Sequence, residues 1–354
     1  MSDKLKQFRD QIDKIDDELL KLVNQRASLA QQIGHAKGNS AVLRPEREAQ
    51  VLQRMSQTNT GPLSKQGVTQ LFTEIMSQCR ALEAPLRVAY LGPQGTFSEV
   101  AVLQRFGKAS EGVPSDSIDG VFESVENSTS NYGLVPVENS TEGAIGRTLD
   151  LLLSSNLKIC GEVLLQVHQC VLSNESDLSL IRKIYSHPQS FGQCMSWLNA
   201  HLPQAERITA SSNADAARMA ATEPFSAAVA GEQASDHFKL KVLVQNIEDD
   251  ARNTTRFLVI GNQEVAPSGK DKTSLVMSSA NRPGAVHDLL VPLAQNGVSM
   301  TKLESRPSRT GLWEYVFYVD IEGHQSDSKV AVALEQLKQI AAFVKVLGSY
   351  PVAV

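Results

Sequence analysis

What this 354-residue chain is short of narrows its identity before any motif is read. It has four cysteines, Cys79, Cys160, Cys170 and Cys194, and no CxxC pair among them. A disulfide scaffold or a thiolate metal site is therefore not expected, and the thiols read as reduced. No apolar stretch approaches the ~18 residues of a membrane span. The opening "MSDKLKQFRD" is charged where a secretion signal would be apolar, so a cytoplasmic protein without a membrane partner is expected. Net charge is only −5, which disfavours a general nucleic-acid binder. What remains is ordinary globular composition, 42% hydrophobic and 21% charged, in a length that suits two or three domains.

Three segments follow different patterns. In residues 1–85, Leu5, Phe8, Ile12, Ile15, Leu19, Leu22, Leu29 and Ile33 recur at steps of three and four. That spacing predicts one helix from about Lys4 to Lys37, about 50 Å long. A second helix is expected from Pro45, a good first-turn residue, and a third over Val68 to Leu82. Two short helices cannot cover so long a seam, so a second copy of the chain is expected against it, giving a homodimer or a larger homo-oligomer. From Leu86 to about 262, short apolar strands such as "LRVAYLGP", "NYGLVPVEN" and "TTRFLVIG" alternate with helical patterns. This predicts a two-lobed α/β unit with a cleft between the lobes. After the polar stretch 262–271, residues 272–354 read as βαββαβ, an α+β ferredoxin-like module.

The helical segment carries charges on its apolar sides. Arg26 interrupts the long seam, Glu48 shares a face with Val51, Leu52 and Met55, and Glu83 follows Cys79 by four. Arg9, Lys37 and Arg47 flank those faces. Two readings stand: an ion-pair network that sets dimer register, or a polar pocket for a small dianion. Here "FRDQID", "NQRASLA", "GHAK", "RPEREAQVL" and "CRALE" resemble the all-helical chorismate mutases. The resemblance implies that Arg9 from the partner chain, Arg26 and Lys37 hold the two carboxylates of chorismate. It implies that Lys37 and Glu83 face the ether oxygen and that Glu48, with Arg47 nearby, takes the ring hydroxyl. Arg44 and Glu83 stand where some members carry Asp and Gln. The implied reaction, chorismate to prephenate, is pericyclic and needs no metal or cofactor. It needs a folded conformer and positive charge at the breaking C–O bond. Glu83 would have to carry a proton to donate to that oxygen, so turnover is expected to fall as pH rises.

In the α/β segment four polar clusters sit at strand ends, which suggests one shared cleft. They are "GPQGTFSEVA" with Thr96, "PVENSTEGAIG" with Glu138 and Asn139, "YSHPQSFGQC" with Ser186, His187, Gln189 and Gln193, and "NTTRFLVIG" with Thr255 and Arg256. In this order they resemble the prephenate dehydratases, whose fold is similar to two-lobed solute-binding proteins. The resemblance implies loss of CO2 and hydroxide from prephenate to give phenylpyruvate. Thr255 is the implied catalytic residue, as a positioned proton relay or hydrogen-bond donor. Thr96, Glu138, Asn139, Ser186 and Gln193 are implied substrate contacts. Arg256 either supports a carboxylate or braces its strand, and His187 is either an acid or a structural hydrogen-bonder.

In the last module "RPGAVHDLL" and "KLESRPSRTGLWEY" resemble the two signature stretches of an ACT domain. This implies phenylalanine binding at a dimer interface by Gly284, Ala285 and Val286 at a helix start and by Glu304 and Ser305 at a strand end. The plainer alternative is a dimerisation module without ligand. The whole chain thus resembles a bifunctional chorismate mutase–prephenate dehydratase under feedback by phenylalanine. Two rivals are a dehydratase with a helical dimerisation arm and a non-catalytic sensor. A chain cut near Gly261 is expected to lose inhibition and keep some dehydratase activity.

Overall fold

The structure, a computed structural model, describes residues 2–37, 42–279, 282–307 and 315–353. Its first part is helical: α1 (Ser2–Lys37), α2 (Pro45–Thr58) and α3 (Lys65–Ala81). Pro45 occupies the first turn of α2, and the Ser64 side chain caps α3 by accepting the Gly67 N–H. The α1 seam stays open in the single chain. Leu5, Phe8, Ile12, Ile15, Leu19, Leu22, Leu29 and Ile33 are all more than half exposed.

The α/β unit begins with β1 (Arg87–Leu91), α4 (Phe97–Phe106), β2 (Glu111–Ser115), α5 (Ile118–Glu126), β3 (Tyr132–Asn139), β4 (Gly143–Ala144), α6 (Gly146–Ser154) and β5 (Lys158–Gln166). The chain then crosses to a second lobe: β6 (Cys170–Ser173), β7 (Lys183–Ser186), α7 (Pro188–Gln193), α8 (Met195–His201), β8 (Glu206–Thr209), α9 (Asn213–Thr222), β9 (Ser226–Ala230), α10 (Gln233–Phe238) and β10 (Lys241–Val244). It returns through β11 (Thr254–Gly261), which inserts between β3 and β5. The first sheet runs β2-β1-β3-β11-β5 and the second β10-β6-β9-β7-β8. Two crossings of one chain between two sheets leave a cleft at their junction. The buried runs "GLVPV" in β3 and "SAAVA" in β9 suit central strands covered on both faces.

The last module is β12 (Asp271–Ser278), α11 (Ala285–Gln295), β13 (Met300–Pro307), β14 (Tyr315–Glu322), α12 (Ser328–Ile340) and β15 (Phe343–Pro351), with sheet order β13-β14-β12-β15. One face carries Leu275, Met277, Val319 and Ile321 against α11 and α12. The other carries Val276, Val316, Tyr318, Leu347 and Tyr350 into the same core as Val135, Leu149 and Leu258 of the α/β unit. The two units therefore share apolar contacts and are not merely tethered. No helix among the described residues is long and apolar enough to cross a membrane. All four cysteines are free and buried, and burial pushes the Cys160 thiol up to about 12.

Candidate active sites

The cleft between the lobes has a volume of about 750 Å³, within the range of small-molecule sites. Thr96, Asn139 and Thr255 line it from the first lobe, and His187, Gln189, Gln193 and Asn213 from the second. Thr255 and Asn139 are register partners at the open end of the β11–β3 ladder. Asn139 is buried, and its Oδ1 accepts the Thr141 backbone N–H at 3.0 Å and the Thr141 hydroxyl at 2.6 Å. A backbone N–H can only donate, so this contact sets the amide orientation. The Asn139 Nδ2 then donates to Thr255 Oγ1 and to Asn253 Oδ1, each at 2.9 Å. A hydroxyl that receives a hydrogen bond still has its own proton to give. Among the described residues Thr255 has no acceptor for that proton, which is left for the cleft.

The N-termini of α4, α7, α9 and α10 line this cleft. The Thr96 hydroxyl turns back to the Pro93 carbonyl at 3.0 Å and does not cap α4. The first-turn N–H groups of α4 therefore lack a side-chain acceptor, an arrangement that attracts anions. Gly95 makes the preceding turn at φ +83°, a conformation that favours glycine. Arg218 is the one lysine or arginine among the described residues lining the cleft. Its hydrogen bond to Asp215, at 2.5 Å, holds that carboxyl below the usual carboxylate range. His187 Nδ1 accepts the Gln189 N–H at 3.3 Å, so the imidazole caps α7 through that nitrogen.

Strand alternation corrects two expected substrate contacts. Successive side chains on a strand point to opposite faces. Since Asn139 and Thr255 face the cleft, Glu138 and Arg256 face the other way, toward the last module. Glu138 pairs with Lys302 at 2.7 Å. Arg256 reaches Glu162 at 2.8 Å, Asp320 at 2.5 Å and the Tyr350 hydroxyl at 3.0 Å. Of the two readings of Arg256, bracing the strand is the one this geometry supports. Ser186 is a third correction. It is fully buried and donates to the Val229 carbonyl at 2.9 Å, so it stitches β7 to β9 behind the cleft.

In the helical segment Arg26 is half-buried and forms no ion pair among the described residues. Arg9, Arg44 and Arg47 are exposed, and the side chain of Lys37 lies outside the described residues. Glu83 rests against the last turns of α1, where a Cβ on Gly34 would lie 2.8 Å from its Cγ. Glu48 differs from expectation. It is buried between Arg80 of α3, to which it is bonded, and Arg105 of α4 at 2.9 Å. Its carboxylate joins the helical segment to the α/β unit. In the last module Gly284 caps α11 at φ +78°, Ala285 is buried and Val286 is 38% exposed. Glu304 is half-buried on the side of β13 that carries Lys302 and Arg306, whereas Ser305 is exposed on the opposite side.

Sequence reasoning passed over Asn253, Gln169 and Asn213. Asn253 precedes the threonines of "NTTRF", is 1% exposed and accepts from Asn139. Asn213, in "SSNAD", donates to Ser190 Oγ at 2.8 Å and accepts the His187 N–H at 3.1 Å. Gln169 donates to Ser190 and Gln193, and its Oε1 has no partner among the described residues. The signal was there: small polar runs at strand ends next to motifs already singled out. Among the described residues no His, Cys, Asp and Glu cluster is suited to a metal ion.

Fold and cleft together define a two-lobed α/β ligand-cleft unit with a helical segment before it and a βαββαβ module after it. Family models agree in the same order: chorismate mutase type II over residues 8–84, prephenate dehydratase over 88–265 and ACT domain over 273–339. A bifunctional chorismate mutase/prephenate dehydratase of Neisseria gonorrhoeae is 51% identical, over 98% of this chain and 96% of that protein. One of Pseudomonas aeruginosa is 49% identical over 99% of both. The crystal structure of a prephenate dehydratase from Arthrobacter aurescens in complex with L-Phe aligns with a TM-score of 0.70 at 33% identity, over 75% of this chain and 90% of that one. The chain belongs to the bifunctional chorismate mutase/prephenate dehydratase family. Mutase, dehydratase and ACT segments are joined here in one polypeptide.

Proposed function

We propose that the chain rearranges chorismate to prephenate in its helical segment and converts prephenate to phenylpyruvate in the cleft, under feedback by phenylalanine at the ACT module. The Asn139–Thr255 hydrogen bond carries the dehydratase reading. As the ring carboxylate leaves as CO2, its bonding electrons aromatise the ring and expel the ring hydroxyl, which must gain a proton to depart as water. Thr255, receiving from Asn139, donates to that hydroxyl and acts as a relay. The uncapped N-terminus of α4 and Arg218 receive the substrate carboxylates, with Thr96 and Gln193 completing the wall. For the mutase, Arg26, without an ion pair among the described residues, supports the pocket reading: with Lys37, and with Arg9 from a second copy, it would hold the two carboxylates, while Glu83 would face the ether oxygen and Arg47 would lie near the ring hydroxyl. The open α1 seam supports a homodimer or larger assembly.

The experiment follows from the separation of the two sets of residues. Thr255→Ala is expected to lower phenylpyruvate formation by about 10²–10⁴-fold while chorismate consumption continues. Arg26→Ala is expected to do the reverse when prephenate is supplied. Loss of both activities from either folded variant would refute the two-site reading. Phenylalanine binding is read by calorimetry on the full chain, and an absence of heat would refute the feedback reading.

A further inference from the structure

Two residues beside the catalytic pair, on the reverse face of the sheet, are held by the ACT module. Thr255 is followed by Arg256, which bonds Asp320 of β14 and Tyr350 of β15. Asn139 is preceded by Glu138, which bonds Lys302 of β13. Around Arg256 the charges balance: Lys272 meets Glu162 at 2.8 Å, and Ser274 joins Asp320 at 2.5 Å and the Tyr350 hydroxyl at 2.6 Å. Burial, then the nearby Asp320, raises the Tyr350 hydroxyl well above an ordinary tyrosine, so it remains neutral. Buried ion pairs are seldom better for stability than apolar packing. What they supply is fixed relative position.

The β11–β3 ladder also changes register just past this pair. Arg256 faces Glu138, but Phe257 faces Pro136, so a bulge separates the catalytic end from the rest of the ladder. Bulges re-aim the side chains next to them. On its other side the catalytic end pairs with β5 without interruption, Thr255 with Leu165 and Arg256 with Leu164, so the bulge frees it on the β3 side alone, where the module behind it holds both Glu138 and Arg256. The same β13 strand carries Glu304 between Lys302 and Arg306, and Arg306 reaches Asp150 of α6 at 3.4 Å.

We infer that Arg256 and Glu138 are positioning residues, and that the ACT module sets the Asn139–Thr255 contact through Asp320 and Lys302. Phenylalanine then acts by shifting these two anchors, a step that rests on the feedback reading above. An effector must favour one of two arrangements to have any effect, and the β13–β14 pair, which carries Lys302 and Asp320, is the element that would differ. Displacement of a reacting group by even 1 Å is costly, so a small shift of the module is sufficient.

The test uses the full chain with Lys302→Met, Lys302→Arg and Asp320→Asn. Lys302→Met leaves Glu138 partly solvent-exposed, so it does not strand a buried charge. Dehydratase kcat is expected to fall about tenfold for Lys302→Met, with KM within about twofold, because positioning and not binding is lost. Phenylalanine should still bind by calorimetry but inhibit less. Lys302→Arg should restore both rate and inhibition, and mutase rates should be unchanged throughout. A folded Lys302→Met enzyme with parent-like kcat and parent-like inhibition would overturn the inference. If the parent chain binds no phenylalanine, the regulatory half fails with the feedback reading. The kcat of Lys302→Met without effector then decides the positioning half. Should Asp320→Asn fail to fold, the Lys302 pair of variants decides alone.

Discussion

The α/β unit meets its two neighbours through seams of different kinds. The seam with the helical segment is made at a helix end. Arg80 bonds the Phe106 carbonyl at 2.5 Å, and Glu74 accepts the Lys108 N–H at 2.9 Å, so α3 finishes the C-terminal turn of α4. That N–H bond is the main cause of a lowered Glu74 carboxyl. Its buried charges do not balance: Glu48 lies between two guanidinium groups, and the Arg80 Nε has no partner among the described residues. The seam with the ACT module is sheet against core. It shares one apolar cluster, two cations match two anions, and Lys345 donates to three carbonyls at the end of α6. The helical segment is thus fastened at the far end of α4 from the cleft, whereas the ACT module is part of the wall behind Thr255.

Truncation is the strongest way to break this comparison. A chain ending at Gly261 uncovers the shared core around Val135, Leu149 and Leu258. We expect it to lose dehydratase activity altogether and to unfold or aggregate, where the sequence suggested that some activity would survive. A chain beginning at Leu86 should keep dehydratase activity at the parent order of magnitude. Equal behaviour of the two truncations, in solubility and in phenylpyruvate formation, would remove the asymmetry. Next comes Glu162→Gln, which leaves Arg256 and Lys272 without their shared carboxylate. It should cost about 3–5 kcal/mol in denaturant unfolding followed by dehydratase activity. Arg105→Gln removes one arm from Glu48 but leaves Arg80. The loss should be about 1.5–3 kcal/mol, seen in the helical segment first, so mutase activity should disappear at lower denaturant than dehydratase activity. Ser64→Ala deletes a single cap on α3 and should cost about 1 kcal/mol, again in the mutase half alone.

Much of the architecture was legible because it rests on periodicity. The α1 seam at steps of three and four, the α/β alternation after Leu86 and the βαββαβ order all appear where the sequence placed them. The helical pattern in "SFGQCMSWLNAHL" is two helices, broken at Cys194, and the strands "EGVPS" and "SAAVA" carry little signal because each is short and small-residue-rich. At the cleft, Thr255 and Asn139 were recognisable from their motifs. Glu138 and Arg256 were not separable from them, because facing depends on what lies behind the sheet, and that is set by residues more than sixty positions away, such as Asp320. Glu48 shows the same limit. Its helical face was read correctly, but its partner Arg105 comes from another segment, and no spacing rule links them. Asn253 and Gln169 matter through buried hydrogen bonds, which leave no periodic trace.

On the proposed dimer, the open seam of α1 would make the two halves differ in molecularity. A cleft built from one chain forms by a first-order event, and its activity per chain is independent of concentration. In the proposed dimer a 36-residue helix whose apolar side chains are half exposed would gain its packing by meeting another chain, which is a second-order event governed by mass action. Arg9 would enter the mutase site only through that encounter. As the protein is diluted, the first reaction should therefore fade before the second, and the ratio of the two turnovers becomes a gauge of how much of the chain is paired.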